Sequence, residues 1–420
     1  MPAAPPSLYD QFAAGWRGYL LVALIALFSA QLGAGRMPVT DLDEARYAQA
    51  ARQMVETGDY GRIRLGEDER TLKPIGAYWL QAASVEAFGG ERLNASMWAY
   101  RLPSTLGLML AAIATLWAGA ALFGQRLALL GAAMFAASMM AGFEGMLAKT
   151  DALLAGFITL AMAALAHLRM RGAARLRLYA LIFWAALACG VLIKGPVAPL
   201  VVALTLGALI AWERRAAWLK PLLWPPAPLL AVLIAAPWFI SANLATGGAY
   251  LAGMAGDVIP KLTSGEALPG YHLFLLPFLI FPATYALPAA ARLAFGAVRS
   301  PRTEDEGAPY RFLIAWAGAS FAFFELTPFK LPHYVLPMYP AICLLCGAGL
   351  EAMAKRGWRT AHPAGLVLFG VSGAAIVALT AASATLMPGD AGSDIRRAVS
   401  AALIGCGVLG LALAALLSLR

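Results

Sequence analysis

Long apolar runs separated by short polar turns dominate the chain, and their length predicts helices that cross a lipid bilayer. Twelve such segments can be marked, at 16–35, 103–123, 127–143, 152–168, 178–193, 196–212, 222–241, 271–291, 311–326, 334–352, 363–386 and 397–418. Roughly 20 apolar residues are needed for a helix to span the hydrocarbon, and the residue-by-residue alternation of a membrane β-barrel is not seen. The expected fold class is therefore an all-α polytopic membrane protein of about twelve transmembrane helices. The first run follows Arg17 and reads as a signal-anchor rather than a cleaved leader. No repeat or low-complexity tract divides the chain, so 1–420 is expected to form a single transmembrane domain, with no soluble domain at the C-terminal end.

One stretch breaks the pattern. Residues 41–79 are polar and hold eight of the 23 acidic residues, Asp41, Asp43, Glu44, Glu56, Asp59, Glu67, Asp68 and Glu69, with Glu86 just beyond. Residues 42–55 read as a helix with Asp41 or Asp43 as its N-cap and Gly58 to end it. A second helix is expected over 74–88, with Pro74 at its first position and Gly89-Gly90 after it. Tyr78 and Trp79 suit a helix lying at headgroup depth, and 59–72 has room for a small hairpin. A second polar segment, 243–270, is long for a passive turn and suits a lid or an acceptor cleft.

Composition and charge settle the setting. The chain is 61% hydrophobic and 13% charged, where a soluble domain is about one-quarter charged. The net charge of +9 is no sign of nucleic acid, because basic residues collect in the inner turns of membrane proteins. With the N-terminus inside, the inner turns and ends hold 17 Lys and Arg, against six in the outer turns that follow the first loop. The first loop, 36–102, and the second, 243–270, then both face outward. The four cysteines, Cys189, Cys343, Cys346 and Cys406, lie in apolar runs and read as small packing residues.

All the candidate chemistry falls on that outer side. Asp43, Arg46 and Tyr47 share one helix face by their spacing and can orient a polyhydroxy or phosphorylated ligand; the same spacing also fits a solvated helix with a local ion pair. Lys73 precedes a helix start, where free N–H groups already favour an anion, and phosphate is the obvious partner; snorkelling to headgroups is the plainer alternative. Glu144, Lys149, Thr150 and Asp151 crowd a very short turn, in which Thr150 or Asp151 also serves as an N-cap. Lys194, between two apolar spans, is costly unless paired or serving a ligand. Asp257 and Lys261 lie in the second outer segment. Phe329 to Tyr334 joins Lys330, His333 and Tyr334 at a proline-bounded helix start, which an aromatic belt would also explain.

The order Asp43-Glu44-Ala45-Arg46-Tyr47, Lys73-Pro74-Ile75-Gly76-Ala77-Tyr78-Trp79, Arg101-Leu102-Pro103-Ser104, Thr150-Asp151, Lys194-Gly195-Pro196 and Lys330-Leu331-Pro332-His333-Tyr334 resembles the integral-membrane GT-C glycosyltransferases, in the lipid A aminoarabinose transferase and protein O-mannosyltransferase group. The resemblance covers most of the chain, from Asp43 to about Pro340. It implies inverting transfer of a monosaccharide from a polyprenyl-phosphate donor to a lipid or glycan acceptor, by an enzyme of the bacterial inner membrane with a periplasmic active site. Asp43 and Asp151 are then the catalytic acids. Lys73, Arg46 and Lys194 are expected at the donor phosphate, and Tyr47, Glu44, Lys149, Asp257, Lys261, His333 and Tyr334 in the substrate cleft. No cofactor is certain. A divalent metal is compatible, with Asp43 a candidate ligand, although the acid that the family often carries before Lys-Pro is Leu72 here. The rival reading, a transporter or flippase of lipid-linked sugar, calls for ionisable groups within the spans, where His167 and Glu325 are the main candidates.

Overall fold

The structure, a computed structural model, describes residues 7–32, 34–35, 37–39, 41–89, 96–170, 175–300, 304–356 and 363–386. A short helix α1 (Leu8–Ala13) leads into α2 (Trp16–Gln31), and the polar first loop follows with α3 (Leu42–Thr57), a two-stranded hairpin and α4 (Gly76–Phe88). The bundle continues with α5 (Met97–Leu122), α6 (Gln125–Ala136), α7 (Met139–Gly145), α8 (Asp151–Met170), α9 (Leu176–Lys194), α10 (Val197–Glu213), α11 (Pro226–Ala245) and α12 (Ala249–Thr263). Next come α13 (Tyr271–Leu279), α14 (Leu287–Arg299), α15 (Glu304–Ile314), α16 (Ser320–Leu326), α17 (Tyr339–Arg356) and α18 (Pro363–Leu386). A π-helical turn (Ala315–Ala319) joins α15 to α16, and a 3-10 turn (Pro332–Met338) precedes α17.

Among the described residues, five helices are long and apolar enough to cross a membrane, or up to seven if each of two bent pairs is one span. The first eleven predicted spans all fall on helical segments; the twelfth, 397–418, lies outside the described residues, as does the N-terminal lead. The short third span is a broken one, α6 and α7 meeting at 61°. The eighth is likewise bent, by 114°.

The centre of the bundle is α5 against α8. Helix α8 is apolar nearly all round and buried along its length, as a helix enclosed by others must be. Lipid gives no hydrophobic drive between helices, so close approach of small residues does the packing. Gly107 of α5 shows the requirement: a Cβ there would lie 2.6 Å from Leu153 Cα.

In the first loop, Asp41 caps α3 by accepting the Glu44 N–H at 2.7 Å, and Gly58 closes it with φ 72°. The expected hairpin is present, pairing Arg64 with Glu69 and Leu65 with Asp68. Two expectations need correction. Helix α4 starts at Gly76, so Pro74 stands ahead of it. Tyr78 is fully buried, because α4 packs inward on α3 and sets the two rings Tyr47 and Tyr78 in a stack 4.8 Å apart. Trp79 alone stays partly exposed, its indole N–H donating to Tyr60 O at 2.6 Å. Residues 243–270 are largely helical: they begin in the last turn of α11 and contain α12.

Candidate active site

Two elements bring the first loop down onto the bundle. Gly76 sits so close to the end of α9 that a Cβ would meet Leu192 O at 2.8 Å, which sets Lys73 beside Lys194. Arg101 of α5, completely buried, holds Glu44 through both carboxylate oxygens, at 2.8 and 3.1 Å. The same guanidinium donates to the carbonyls of Ala34, Met37 and Pro38, and Glu44 also accepts the Ala148 N–H at 3.0 Å. Glu44 is thus a clamp beneath α3 and does not reach a substrate cleft, because its whole carboxylate is used in holding the loop to α5 and to the turn after α7.

Above that clamp lies a cavity of about 440 Å³. Its polar end carries Lys73, Lys194, Lys261, Asp151, Asp257 and His333; the rest of its wall is apolar, including Leu154, Val197, Leu200, Leu262, Phe323 and Phe324. Lys73 donates to Asp257, which also accepts from Lys261 at 2.7 Å. Lys194 donates to Asp151 at 2.5 Å and lies 5.7 Å from the Tyr334 ring centre. His333 bridges two carboxylates, with Nδ1 3.4 Å from Glu144 and Nε2 3.7 Å from Asp151.

At this end three lysines face two carboxylates, and burial acts on the charges of both. Burial, then the nearby Lys194 and Lys261, pull the Lys73 ammonium down from 10.5 to about 8 despite the opposing pull of Asp257. Burial works against the charge on Asp257 too, but its bonds from Lys261 and Lys73 leave its carboxyl below the usual value. Lys149 lies outside the cavity wall. It pairs with Asp41 at 3.1 Å, and although burial opposes its charge, Glu144, Asp151 and Asp41 hold it above the ordinary lysine range.

A second group borders this one. Asp43 and Arg46 are about half exposed, 3.6 Å apart, and stand outside the cavity wall. Arg70, which the motifs did not single out, approaches Asp43 at 3.8 Å, donates to the Tyr78 hydroxyl at 3.0 Å and lies over the Tyr47 ring. Burial raises the Tyr47 phenol well above its usual value, with Tyr78 and Asp151 adding to the rise; Tyr47 is therefore the buried link between the Asp43 face and Asp151.

Of the predicted residues, the cavity gathers Lys73, Asp151, Lys194, Asp257, Lys261, His333 and Tyr334. Asp43, Arg46 and Tyr47 form the neighbouring face, and Glu44 and Lys149 hold the frame. Arg70, Arg101 and Glu144 went unassigned. Arg70 had no motif to mark it, and Arg101 falls in the first loop by the predicted limits; the structure starts α5 at Met97 and so sets Arg101, fully buried, within that helix. Asp43 is not part of a metal-ligand cluster among the described residues. The group whose ligand atoms lie within 4.8 Å of one another is Glu144, Asp151 and His333, and there Lys194 already supplies a cation to Asp151. The transporter candidates are fixed in structural roles. His167 packs between Trp117 and Tyr179, and Glu325 accepts the N–H groups of Gly270 and His272.

Helices of this order around a cleft beside the first polar loop are those of an integral-membrane GT-C fold, and the comparisons agree. Residues 39–247 match the family of dolichyl-phosphate-mannose-protein mannosyltransferases. The undecaprenyl phosphate-alpha-4-amino-4-deoxy-L-arabinose arabinosyl transferase of Pectobacterium atrosepticum is 30% identical over 353 residues, covering 80% of this chain and 60% of that protein. The Pseudomonas aeruginosa transferase of the same name is 29% identical over 350 residues, with the same coverage. The crystal structure of ArnT from Cupriavidus metallidurans bound to undecaprenyl phosphate superposes with a TM-score of 0.73 at 22% identity, over 93% of this chain and 75% of that one. The fold is thus that of the integral-membrane GT-C transferases, and the sequence is similar to the mannosyltransferase family over residues 39–247 and to the aminoarabinose transferases over most of this chain. The chain spans about 60% of the length of the curated relative from Pectobacterium atrosepticum.

Proposed function

We propose that this protein is an inverting glycosyltransferase that moves a monosaccharide, of the aminopentose class named for its relatives, from a polyprenyl-phosphate donor to a hydroxyl of a lipid A-like acceptor. The carrying observation is the cavity itself: three lysines, Lys73, Lys194 and Lys261, held by Asp151 and Asp257, meet a largely apolar wall in one pocket. That is the shape of a phosphate on an isoprenoid chain. The apolar wall takes the first prenyl units, and the lysines meet the phosphate.

The chemistry follows from where charge develops. The acceptor hydroxyl oxygen attacks the anomeric carbon, the bond from that carbon to the phosphate oxygen breaks, and polyprenyl phosphate leaves with the electron pair. Negative charge grows on the phosphate, where preorganised cations lower the barrier most. Asp151 holds Lys194 in place for this, and Asp257 does so for Lys73 and Lys261. Asp43, on the exposed neighbouring face, takes the acceptor proton as general base, with Arg46 and Arg70 steering its carboxylate. The cleft then lies on the periplasmic side of a bacterial inner membrane, which the basic bias of the opposite turns supports. The chain then forms one transferase domain in which the first loop and the α12 segment flank the cleft.

The test is sugar transfer in vesicles supplied with labelled polyprenyl-phosphate sugars and lipid A. Wild type should consume donor, and Asp43→Asn and Lys73→Ala should not. Variants as active as wild type would remove the site assignment. A wild type that consumes no polyprenyl-phosphate donor would remove the reaction class.

A further inference from the structure

A second and larger cavity, of about 730 Å³, lies at the far end of the bundle. The two cavities share helices. Asp151 opens α8 at the candidate active site, and Arg169, in its last turn, lines the second cavity; those positions are ~27 Å apart at 1.5 Å per residue. Helix α10 repeats the relation from Val197 to Glu213 over ~24 Å. Such a separation is close to the hydrocarbon thickness, so the second cavity sits at the other membrane face.

Among the described residues its wall presents three guanidiniums, Arg169, Arg215 and Arg311, and the carboxylate of Glu213. That carboxylate is shared, accepting from Arg169 at 2.5 Å and from Arg311 at 2.6 Å through the same oxygen. The Arg169 side chain is only 9% exposed, with its guanidinium 5.5 Å from the Trp218 ring centre. Its buried Nε–H has no hydrogen-bond partner. A guanidinium kept from water with an unused donor is costly unless a ligand brings an acceptor. Trp212 and Trp218 frame the opening, as amphipathic rings do at headgroup depth.

We infer that this cavity binds the phosphate headgroup of an anionic phospholipid. Guanidiniums match phosphate oxygens through paired N–H bonds, and basic pockets at the ends of membrane helices take such headgroups. A zwitterionic headgroup would bring a cation against the arginines. None of these residues touches the active-site cavity, so the site stands apart from the transferase reading.

Native mass spectrometry of the full chain in mild detergent tests this, with phosphatidylglycerol, phosphatidylcholine or inorganic phosphate added. Wild type should retain phosphatidylglycerol over phosphatidylcholine, and millimolar phosphate should not displace it. Arg169→Gln and Arg215→Gln should each weaken retention about tenfold, the equivalent of ~1.4 kcal/mol. Arg52→Gln, on the exposed face of α3, should match wild type. Arg215 is exposed, so its variant carries the test if Arg169→Gln fails to fold. Equal retention of the two lipids, unchanged retention in the folded variants, or displacement by phosphate alone would each overturn the lipid site.

Discussion

Arg101 and Glu44 form a bidentate ion pair from which solvent is wholly excluded, and it ties the first polar loop to the central helix of the bundle. The guanidinium is further satisfied by three backbone carbonyls, so each partner is matched only while the other is present. Removing one partner of a buried pair costs about 3–5 kcal/mol, because the other charge is left stranded. Arg101→Met should therefore lower the melting temperature strongly in thermal denaturation and should abolish sugar transfer as the loop detaches. Arg101→Met with Glu44→Leu should be more stable than Arg101→Met alone. A single variant that melts like wild type would show that the pair does not hold the loop.

Lys73 makes donor binding depend on pH. Its pKa of about 8 in the unliganded protein stands below the ordinary lysine value because of burial and two neighbouring lysines. A bound phosphate favours the ammonium and raises that pKa. The binding contribution is therefore complete below about pH 8 and falls as pH rises toward the pKa of the complex, by up to about tenfold per pH unit. For folding the sign is reversed: the unfolded chain binds more protons between about 8 and 10.5, so the Lys73 penalty on the unliganded fold is relieved over that range. Titration of polyprenyl phosphate between pH 7 and 10 should show the decline in wild type and a flat profile in Lys73→Met.

Asp257 sets where that decline begins. It accepts from Lys73 and Lys261, and its charge is what raises the Lys73 value against burial. In Asp257→Asn the support is lost and the Lys73 pKa falls further, so the onset of the affinity decline should move below pH 8. The variant should still bind donor at pH 6.5, where Lys73 is charged in either protein. An unmoved onset would mean that the titrating group is not Lys73.

Asp43 is proposed to act on the acceptor rather than on the donor, since it stands outside the cavity that carries the lysines. Asp43→Asn should lower kcat by about 10²–10⁴, the usual worth of a general base, while donor affinity stays near that of wild type. A matched loss of donor affinity would move Asp43 into the donor pocket. Unchanged kcat would remove it from the chemistry.

The bundle was legible in the chain because apolar length alone marks a membrane helix, and the first eleven predicted segments are helical. The α3 caps were equally readable, since Asp41 and Gly58 carry local signals. What the chain concealed was direction. Tyr78 carries the composition of an interfacial residue but is packed inward on Tyr47, and that depends on Gly76 letting α4 lie close to α9. Glu44 neighbours Asp43 in sequence yet points a different way round the helix, into Arg101. Asp257 reaches Lys73 across 184 positions, a pairing that no local pattern encodes.

The sidedness of the two cavities can be tested without any assay of activity. Glu67, in the turn of the hairpin, and Lys220, beyond α10, are both exposed. In the proposed orientation the first is periplasmic and the second cytoplasmic, because Lys220 belongs to the basic set of turns and Glu67 to the first loop on the opposite side. Cys343 and Cys346 are buried and Cys189 is partly so, and all four native cysteines would be replaced by Ala or Ser. In that background a membrane-impermeant maleimide should label Glu67→Cys in cells whose outer membrane alone has been opened. It should label Lys220→Cys only after the inner membrane is also permeabilised. The reverse pattern would place the lysine cavity in the cytoplasm, and with it the donor phosphate.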